Sequence, residues 1–243
     1  MAASLWIVVP CYNEAERLDA DAFLRQLDVD RDLGFIFVDD GSTDSTAARV
    51  GELAGRSGGR IEVVTLQRNS GKAAAVRAGM LAAFDRGPAF AGYWDADLAT
   101  PLDAIPEFKT IFTARPEADI VIGSRVKLLG RDISRSLARH YSGRVFATAA
   151  SFALGISVYD TQCGAKIFRM ADRTRRLFET PFTSKWIFDV EILSRYLSDI
   201  GTAQAERRIY ELPLRRWTGV AGSKLTPWHA LRAVWDLVSI MRR

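Results

Sequence analysis

Two periodicities alternate along the first hundred residues. Short apolar runs rich in β-branched and aromatic side chains occupy Leu5 to Val9, Gly34 to Val38, Ile61 to Leu66 and Ala91 to Trp94. Each has the length and composition of a buried strand. Between them the apolar positions fall at helical spacing: Leu18, Phe23, Leu24 and Leu27, then Val50 and Leu53, then Val76, Met80, Leu81 and Phe84. This repeated order predicts an α/β fold, a mostly parallel sheet covered by helices. Another strand is expected at Ile120 to Ile122.

Polar turns punctuate the pattern just as regularly. Pro10 to Glu14 follows the first strand, Asp39 to Asp44 the second, Asn69 to Lys72 the third and Asp95-Ala96-Asp97 the fourth. All four turns are thereby predicted at one edge of the sheet, the C-terminal edge, where open α/β sheets bind ligands.

With 243 residues, 48% of them hydrophobic and 26% charged, the chain can fill the core of one large domain with at most a small appendage. Its formal charge of +4 suits phosphorylated ligands, anionic lipid or nucleic acid. No nucleic-acid motif accompanies that charge, so nucleic acid is set aside. Cys11 and Cys163 give neither a disulfide framework nor metal-ligand spacing, and both are expected to be small buried side chains in a reduced compartment. His140 and His229 are too few and too far apart for a histidine metal site. A strand pattern begins almost at the N-terminus, which leaves no room for a signal peptide. The longest uncharged run, Val145 to Tyr159, falls short of the roughly 18 to 20 residues that span a bilayer.

Candidate chemistry sits in the turns. Asp95 and Asp97 offer hard oxygen ligands to Mg²⁺ or Mn²⁺, which such sites hold by one or two carboxylates together with substrate phosphates. The plainer alternative is a loop in which aspartate caps the next helix. Tyr12, Asn13 and Glu14 suit a base and ribose, or Asn13 simply starts a helix. Asp39 and Asp40 can accept hydrogen bonds from a nucleobase imide or ribose hydroxyls, with one of the two expected to bind only loop backbone. Lys72 follows a glycine at a helix N-terminus, a place that favours anions. Gly71-Lys72-Ala73 is not a Walker loop, and no G-x-G-x-x-G follows the first strand.

Taken in order, these motifs resemble the nucleotide-sugar half of family 2 inverting glycosyltransferases. The resemblance implies a GT-A fold, a nucleotide diphosphate-sugar donor and an Mg²⁺ or Mn²⁺ ion. It implies that Asp40, with Asp39 beside it, contacts the base, that Asp97 is the direct metal ligand, and that Asp95 lies nearer ribose or metal. Pro10, Tyr12, Asn13, Glu14, Gly41, Lys72 and Ala96 complete the implied donor site.

The second half carries Gly123-Ser124-Arg125, Asp160 to Phe168, Trp186 to Leu193 and Gly222-Ser223-Lys224-Leu225. This set resembles a narrower group, the polyprenyl-phosphate glycosyltransferases, most closely the dolichyl-phosphate β-glucosyltransferase type. Dolichyl-phosphate mannose synthases share the plan but often carry glutamine two places after D-x-D, where this chain has Ala99. A phosphate monoester, with its second pKa near 6, is already largely dianionic at neutral pH and needs cations more than a base. Arg125, Lys166 and Lys224 are the candidate phosphate contacts, with solvated surface cations as the plainer reading. Asp189 is expected to shape the acceptor pocket, act as a base or cap a helix, and Asp160 to hold the cations in place.

Two stretches, Arg135 to Leu154 and Pro227 to Arg243, combine basic and apolar residues in the manner of interfacial helices, with a helix packing its apolar face on the core as the plainer alternative for each. The expected organisation is a catalytic domain over residues 1–225 and an amphipathic C-terminal helix over 226–243, peripheral on the cytoplasmic face of a membrane. The expected reaction moves glucose from UDP-glucose to a polyprenyl phosphate with inversion. The alternatives are a GDP-mannose donor, a glycan or soluble hydroxyl acceptor, a nucleotidyltransferase and a non-catalytic nucleotide-sugar sensor.

Overall fold

The computed structural model describes residues 3–134 and 137–219, leaving aside the side chains of 137–140 and 142. Strands β1 (Leu5–Cys11), β2 (Leu33–Asp39), β3 (Ile61–Thr65) and β4 (Phe90–Trp94) alternate with helices α1 (Ala20–Val29), α2 (Thr46–Arg56) and α3 (Lys72–Phe84). All four expected strands form. β1 and β2 run further than their apolar runs because the ladder continues to the pair Cys11 and Asp39. Helix α1 begins later than expected: Leu18 is buried ahead of it, and Asp19 caps it by accepting the Ala22 N–H at 3.0 Å.

The chain continues through α4 (Ile105–Ala114), β5 (Ile120–Ser124), β6 (Asp132–Ser134), α5 (Leu137–Leu154), β7 (Ala165–Arg169), α6 (Asp172–Glu179), α7 (Phe188–Ile200), α8 (Thr202–Arg208), β8 (Ile209–Pro213) and β9 (Arg216–Thr218). Seven strands form one sheet in the order β3-β2-β1-β4-β7-β5-β8, while β6 and β9 pair separately. Every pairing in the large sheet is parallel except those of β7, which runs antiparallel to both β4 and β5. The chain therefore enters β7 at the edge where its neighbours leave, which carries residues 160–164 to the four motif turns.

Both faces of the sheet are covered, so β2 is buried at all seven positions and reads as a continuous apolar run. One core layer packs α3, α5, α6 and α7 on one face. The other packs α1, α2 and α4 on the opposite face, where Phe23 meets Phe35 and Phe37 edge-on at 5.1 and 4.9 Å. A fully buried side chain of this kind contributes about 1.5–3 kcal/mol by removal from water.

At the edge away from the motif turns, Asp119 sits just before β5 with its carboxylate 1% exposed. It accepts hydrogen bonds from Arg173 at 2.6 and 3.1 Å, from the Tyr196 hydroxyl at 2.5 Å and from Arg208 at 3.3 Å. These donors bring α6, α7 and α8 to one point. At the motif edge, the β6–β9 pair lies beside the D-x-D loop, where the Thr218 N–H donates to the Ala99 carbonyl at 3.0 Å.

A helix forms within the stretch Arg135 to Leu154 as α5, with Ala147, Ala150 and Leu154 buried. No helix among the described residues is long and apolar enough to cross a membrane. Lys224 with its Gly222–Leu225 motif, the segment 226–243 with His229, and Arg135 lie outside the described residues, as do the side chains of Arg139 and His140.

Candidate active site

The four motif turns meet, and their side chains are spent largely on holding one another. Pro10 is the penultimate residue of β1, and Tyr12 stands half-buried just after the strand. Asn13 adopts φ 52°, a left-handed conformation unusual outside glycine. Its side-chain oxygen accepts the Thr43 N–H at 2.9 Å and its own N–H donates to Ser42 Oγ at 3.0 Å. Asn13 thus pins the first turn to the second instead of capping a helix. Gly41, at φ 67°, lies against the third turn, where a Cβ would come within 2.5 Å of the Arg68 backbone.

The structure divides the work of the paired aspartates. Asp39 gives one oxygen to the Ser42 N–H at 3.1 Å. Asp40 uses both oxygens, accepting the Ser70 N–H at 2.7 Å and the Gly71 N–H at 2.8 Å. Both aspartates thus bind loop backbone, and Asp40, the residue to which the resemblance gives the base, does so with both of its oxygens.

Asp95 and Asp97 follow β4 as expected, with Ala96 buried between them. Asp97 turns back to accept the Ala99 N–H at 3.0 Å, and Leu98 takes φ 51° to complete the bend. Asp95 lies directly over Gly164, where a Cβ would sit 1.8 Å from its carboxylate oxygen. Its other partner is Lys72 at the start of α3, in a close ion pair. Burial works against the Lys72 charge, but Asp95, Asp189 and Asp97 outweigh it and hold the ammonium above its ordinary range.

Negative charge accumulates here beyond what the protein neutralises. Burial, then the neighbouring Asp95, raises Asp97 above the usual carboxylate range. Glu14 is also raised, by burial first and by Asp97 and Asp95, against the lowering effect of Arg17. Its Oε2 is buried without a hydrogen-bond partner among the described residues. An orphaned carboxylate oxygen beside two more carboxylates, all of them hard ligands, fits a divalent cation. No group of three such side chains among the described residues is arranged to hold a metal on its own. The donor set thus fits a cation shared with substrate phosphates.

On the other side of β4, Lys166 is not at the open edge. Its side chain is 1% exposed, and its ammonium donates to Asp189 Oδ1 at 2.5 Å and to the Cys163 carbonyl at 2.7 Å. Tyr93, the cross-strand neighbour of Lys166, donates to the same Asp189 oxygen at 2.6 Å. The ammonium expected to meet phosphate is instead buried beneath the site, where it neutralises Asp189. Asp189 lies in the first turn of α7 without capping it. Burial, and then Asp189, holds the Tyr93 hydroxyl well above its ordinary range, so it stays protonated and donating.

Arg125 and Asp160 form the second charged pair at the edge. Two guanidinium nitrogens donate to the carboxylate at 2.6 and 2.7 Å, and the Arg125 backbone N–H adds a third bond at 3.0 Å. Burial would raise Asp160, but Arg125 outweighs it and holds the carboxyl below its usual range. Arg125 also stacks over Trp217 of β9 with its guanidinium 5.4 Å from the ring centre. Asp160 therefore holds the cation in place, as expected.

Two contributors escaped the sequence reading, Trp217 and Glu211, and a third, Gly164, was read only as part of its motif. Gly164 makes room for Asp95, and Trp217 supports Arg125. Glu211 of β8 accepts the backbone N–H groups of Tyr159 and Asp160 at 2.8 Å each, fixing the loop that presents Asp160. The only signal for Glu211 is an acid inside the strand-like run Ile209-Tyr210-Glu211-Leu212.

Comparison with known proteins agrees with this arrangement. The sequence profile of glycosyl transferase family 2 matches residues 6–175. A dolichyl-phosphate beta-glucosyltransferase of Dictyostelium discoideum is 34% identical over 257 residues, covering 98% of this chain and 74% of that protein. The Homo sapiens protein of the same name is 32% identical over 258 residues, covering 98% of this chain and 75% of its own length. Among solved structures, glucosyl-3-phosphoglycerate synthase from Mycobacterium tuberculosis in complex with UDP superposes with a TM-score of 0.67 at 18% identity, covering 99% of this chain and 80% of that one. Its complex with Mn²⁺ and UDP-glucose gives 0.68 at 16% identity, covering 98% and 78%. At that identity the likeness concerns the fold, a GT-A sheet with its motif turns on one edge. With the profile spanning most of its length and relatives above 30% identity along nearly all of it, this chain belongs to glycosyl transferase family 2.

Proposed function

We propose that the protein transfers glucose from UDP-glucose to a polyprenyl phosphate, with inversion at the anomeric carbon. The observation that carries this reading is the similarity, along nearly the whole chain, to proteins named dolichyl-phosphate beta-glucosyltransferase. The site supports it by chemistry. Carboxylates gather on one side of the edge at Glu14, Asp95 and Asp97, and a held cation, Arg125, stands on the other.

An oxygen of the acceptor phosphate attacks the sugar's anomeric carbon from the face opposite the leaving diphosphate. The new C–O bond forms as the old one breaks, and the nucleoside diphosphate departs with the electron pair. Asp97 and Asp95 would hold the Mg²⁺ or Mn²⁺ ion. When bound, that ion supplies Lewis-acid stabilisation of the charge that builds on the leaving group. Lys72 sits at the N-terminus of α3, where the helix dipole favours anions, and serves the same diphosphate. Asp39 and Asp40 face the base end, with Tyr12 and Asn13 beside them. Arg125, and Lys224 from outside the described residues, orient the acceptor phosphate by charge-assisted hydrogen bonds. Asp189 and Lys166 form a neutralised floor under the sugar. A dianionic phosphate needs no proton removed, which suits a site whose buried carboxylate already accepts two hydrogen bonds on one oxygen.

The test is a transfer assay with Mn²⁺ or Mg²⁺ and a short polyprenyl phosphate, comparing UDP-glucose with GDP-mannose. Turnover of UDP-glucose to a β-linked product is expected. Preference for GDP-mannose would overturn the donor assignment, and inactivity with both would point to a hydroxyl acceptor. In the same assay Asp97→Ala is expected to abolish metal-dependent transfer in a folded protein, and retained turnover would remove Asp97 from its role.

A further inference from the structure

We propose that Trp217 is a positioning residue for transfer: it keeps the Arg125 guanidinium in register with the Asp95-Ala96-Asp97 loop. The proposal rests on the lipid-phosphate reading, in which Arg125 orients the acceptor, and adds the side chain that sets where Arg125 stands.

Two restraints act on the guanidinium from different directions. Asp160 holds it through two hydrogen bonds, at 2.6 and 2.7 Å, which fix the fork in its own plane. A pair of this kind still lets the group tilt and slide across that plane. The Trp217 ring covers the face of the guanidinium, with its centre 5.4 Å from the guanidinium carbon. Arg125 has 15% of its side chain exposed and Trp217 is 9% exposed, so the stack is largely removed from water, where a cation over an indole is held most strongly. Gly219 leaves the ring its room, since a Cβ there would come within 3.2 Å of it.

The strand that carries the ring touches both halves of the site. β9 lies outside the seven-stranded sheet and pairs with β6, so its place is not set by the main ladder. On the acceptor side, the Leu214 N–H just before it donates to the carbonyl of Ser124, the neighbour of Arg125, at 2.9 Å. On the carboxylate side, Trp217 packs in the core layer that contains Ala96 and Ala99. Beside the ring, the Thr218 N–H donates to the Ala99 carbonyl at 3.0 Å, and the Ala99 N–H donates to Asp97 Oδ1 at 3.0 Å. Two hydrogen bonds therefore join the Asp97 carboxylate to the residue next to Trp217. The exposed ion pair of Arg216 with Asp103, at 2.7 Å, runs along the same line and contributes little by itself.

Distance gives this bridge a use. In the proposed reaction the donor is placed from the side of Asp95 and Asp97 and the acceptor phosphate from the side of Arg125. The attacking oxygen must come within about 3–3.5 Å of the anomeric carbon in line with the leaving group. A cation free to shift against the carboxylate loop would spread the acceptor over positions that do not react.

The experiment compares wild type with Trp217→Leu, which keeps an apolar side chain but no ring, and with Trp217→Phe, which keeps a ring; Trp217→Met replaces the first should it not fold. NMR relaxation at Arg125 Nε in ligand-free protein reads how firmly the guanidinium is held. Calorimetry reads the binding of a water-soluble short-chain prenyl phosphate and, separately, of UDP with Mn²⁺. Steady-state transfer from UDP-glucose to the same prenyl phosphate reads the consequence. The Nε–H order parameter is expected near about 0.85 in wild type and below about 0.6 in Trp217→Leu. That variant is expected to bind prenyl phosphate about tenfold more weakly and to lose on the order of 100-fold in kcat, with UDP and Mn²⁺ bound as in wild type. Trp217→Phe is expected to recover most of both losses. An unchanged order parameter overturns the proposal, as does wild-type binding of prenyl phosphate that the leucine substitution does not weaken. An equal loss of UDP binding also overturns it, because Trp217 would then support the fold at large. Wild type that neither binds nor uses prenyl phosphate sinks the lipid-phosphate reading, and the order parameter alone then decides whether Trp217 holds Arg125.

Discussion

Position 164 is a glycine because the carboxylate of Asp95 occupies the space a side chain would need. Gly164→Ala is therefore expected to push Asp95 off its place with the overall fold retained. A displacement of about 1 Å at a reacting centre costs on the order of 100-fold in rate; steady-state transfer rates beside circular dichroism check it, and an unimpaired variant would show that the carboxylate's exact seat does not matter. Lys166 makes the opposite kind of demand. Removing it leaves the Asp189 carboxylate buried without its cation, so Lys166→Met is expected to lower stability by about 3–5 kcal/mol in a denaturant titration. Asp95 and Asp97 were legible in the sequence because two acids after an apolar run violate the local pattern. The Tyr93, Lys166 and Asp189 cluster was not, because its members are separated by up to 96 residues and meet only through the β4–β7 pairing.

Elements were readable where their residues were uniformly apolar. β1 to β5 declared themselves in this way, whereas β7, β8 and β9 carry Lys166, Glu211 and Arg216 and break the run. Lys166 and Glu211 are tolerated inside strands because each finds a partner from another element, Asp189 and the Tyr159 and Asp160 N–H groups, whereas Arg216 keeps its charge in water. Asp119 shows what such a partner set is worth. Burial would raise its carboxyl, but Arg173 and Tyr196 hold it below the ordinary value. A carboxyl lowered in the folded state contributes stability that is present above its unfolded pKa, about 3.9, and is lost as pH falls through the folded value. Asp119→Asn is expected to cost about 3 kcal/mol at pH 7 and to flatten the loss of stability below pH 4. Denaturant midpoints measured from pH 7 to pH 3 test this, and an acid limb as steep as that of wild type would show that Asp119 does not drive it.

At the scale of the whole molecule the two functional halves differ in how the chain builds them. The family profile ends at residue 175, so Asp189, Glu211 and Trp217 all lie beyond it. The four motif turns could be read early because each follows a strand, as the rule for parallel sheets requires. Residues 160–164 precede their strand, and only the reversed direction of β7 brings them to the same edge. That reversal also sets a timetable. β1, β2 and β3 pair only with strands lying between residues 5 and 94, and β4 has one partner, β1, in that range, while β5 has no hydrogen-bonded neighbour among the described strands except β7 and β8. During synthesis β1 to β4 can thus zip together while β5 waits, unpaired, for about 40 residues to emerge before its first partner. Pulse-labelled hydrogen exchange during refolding is expected to protect the amides of β1 and β2 before those of β5 and β8, and simultaneous protection would refute that order. The same backward strand that unites the two halves in space separates them in time.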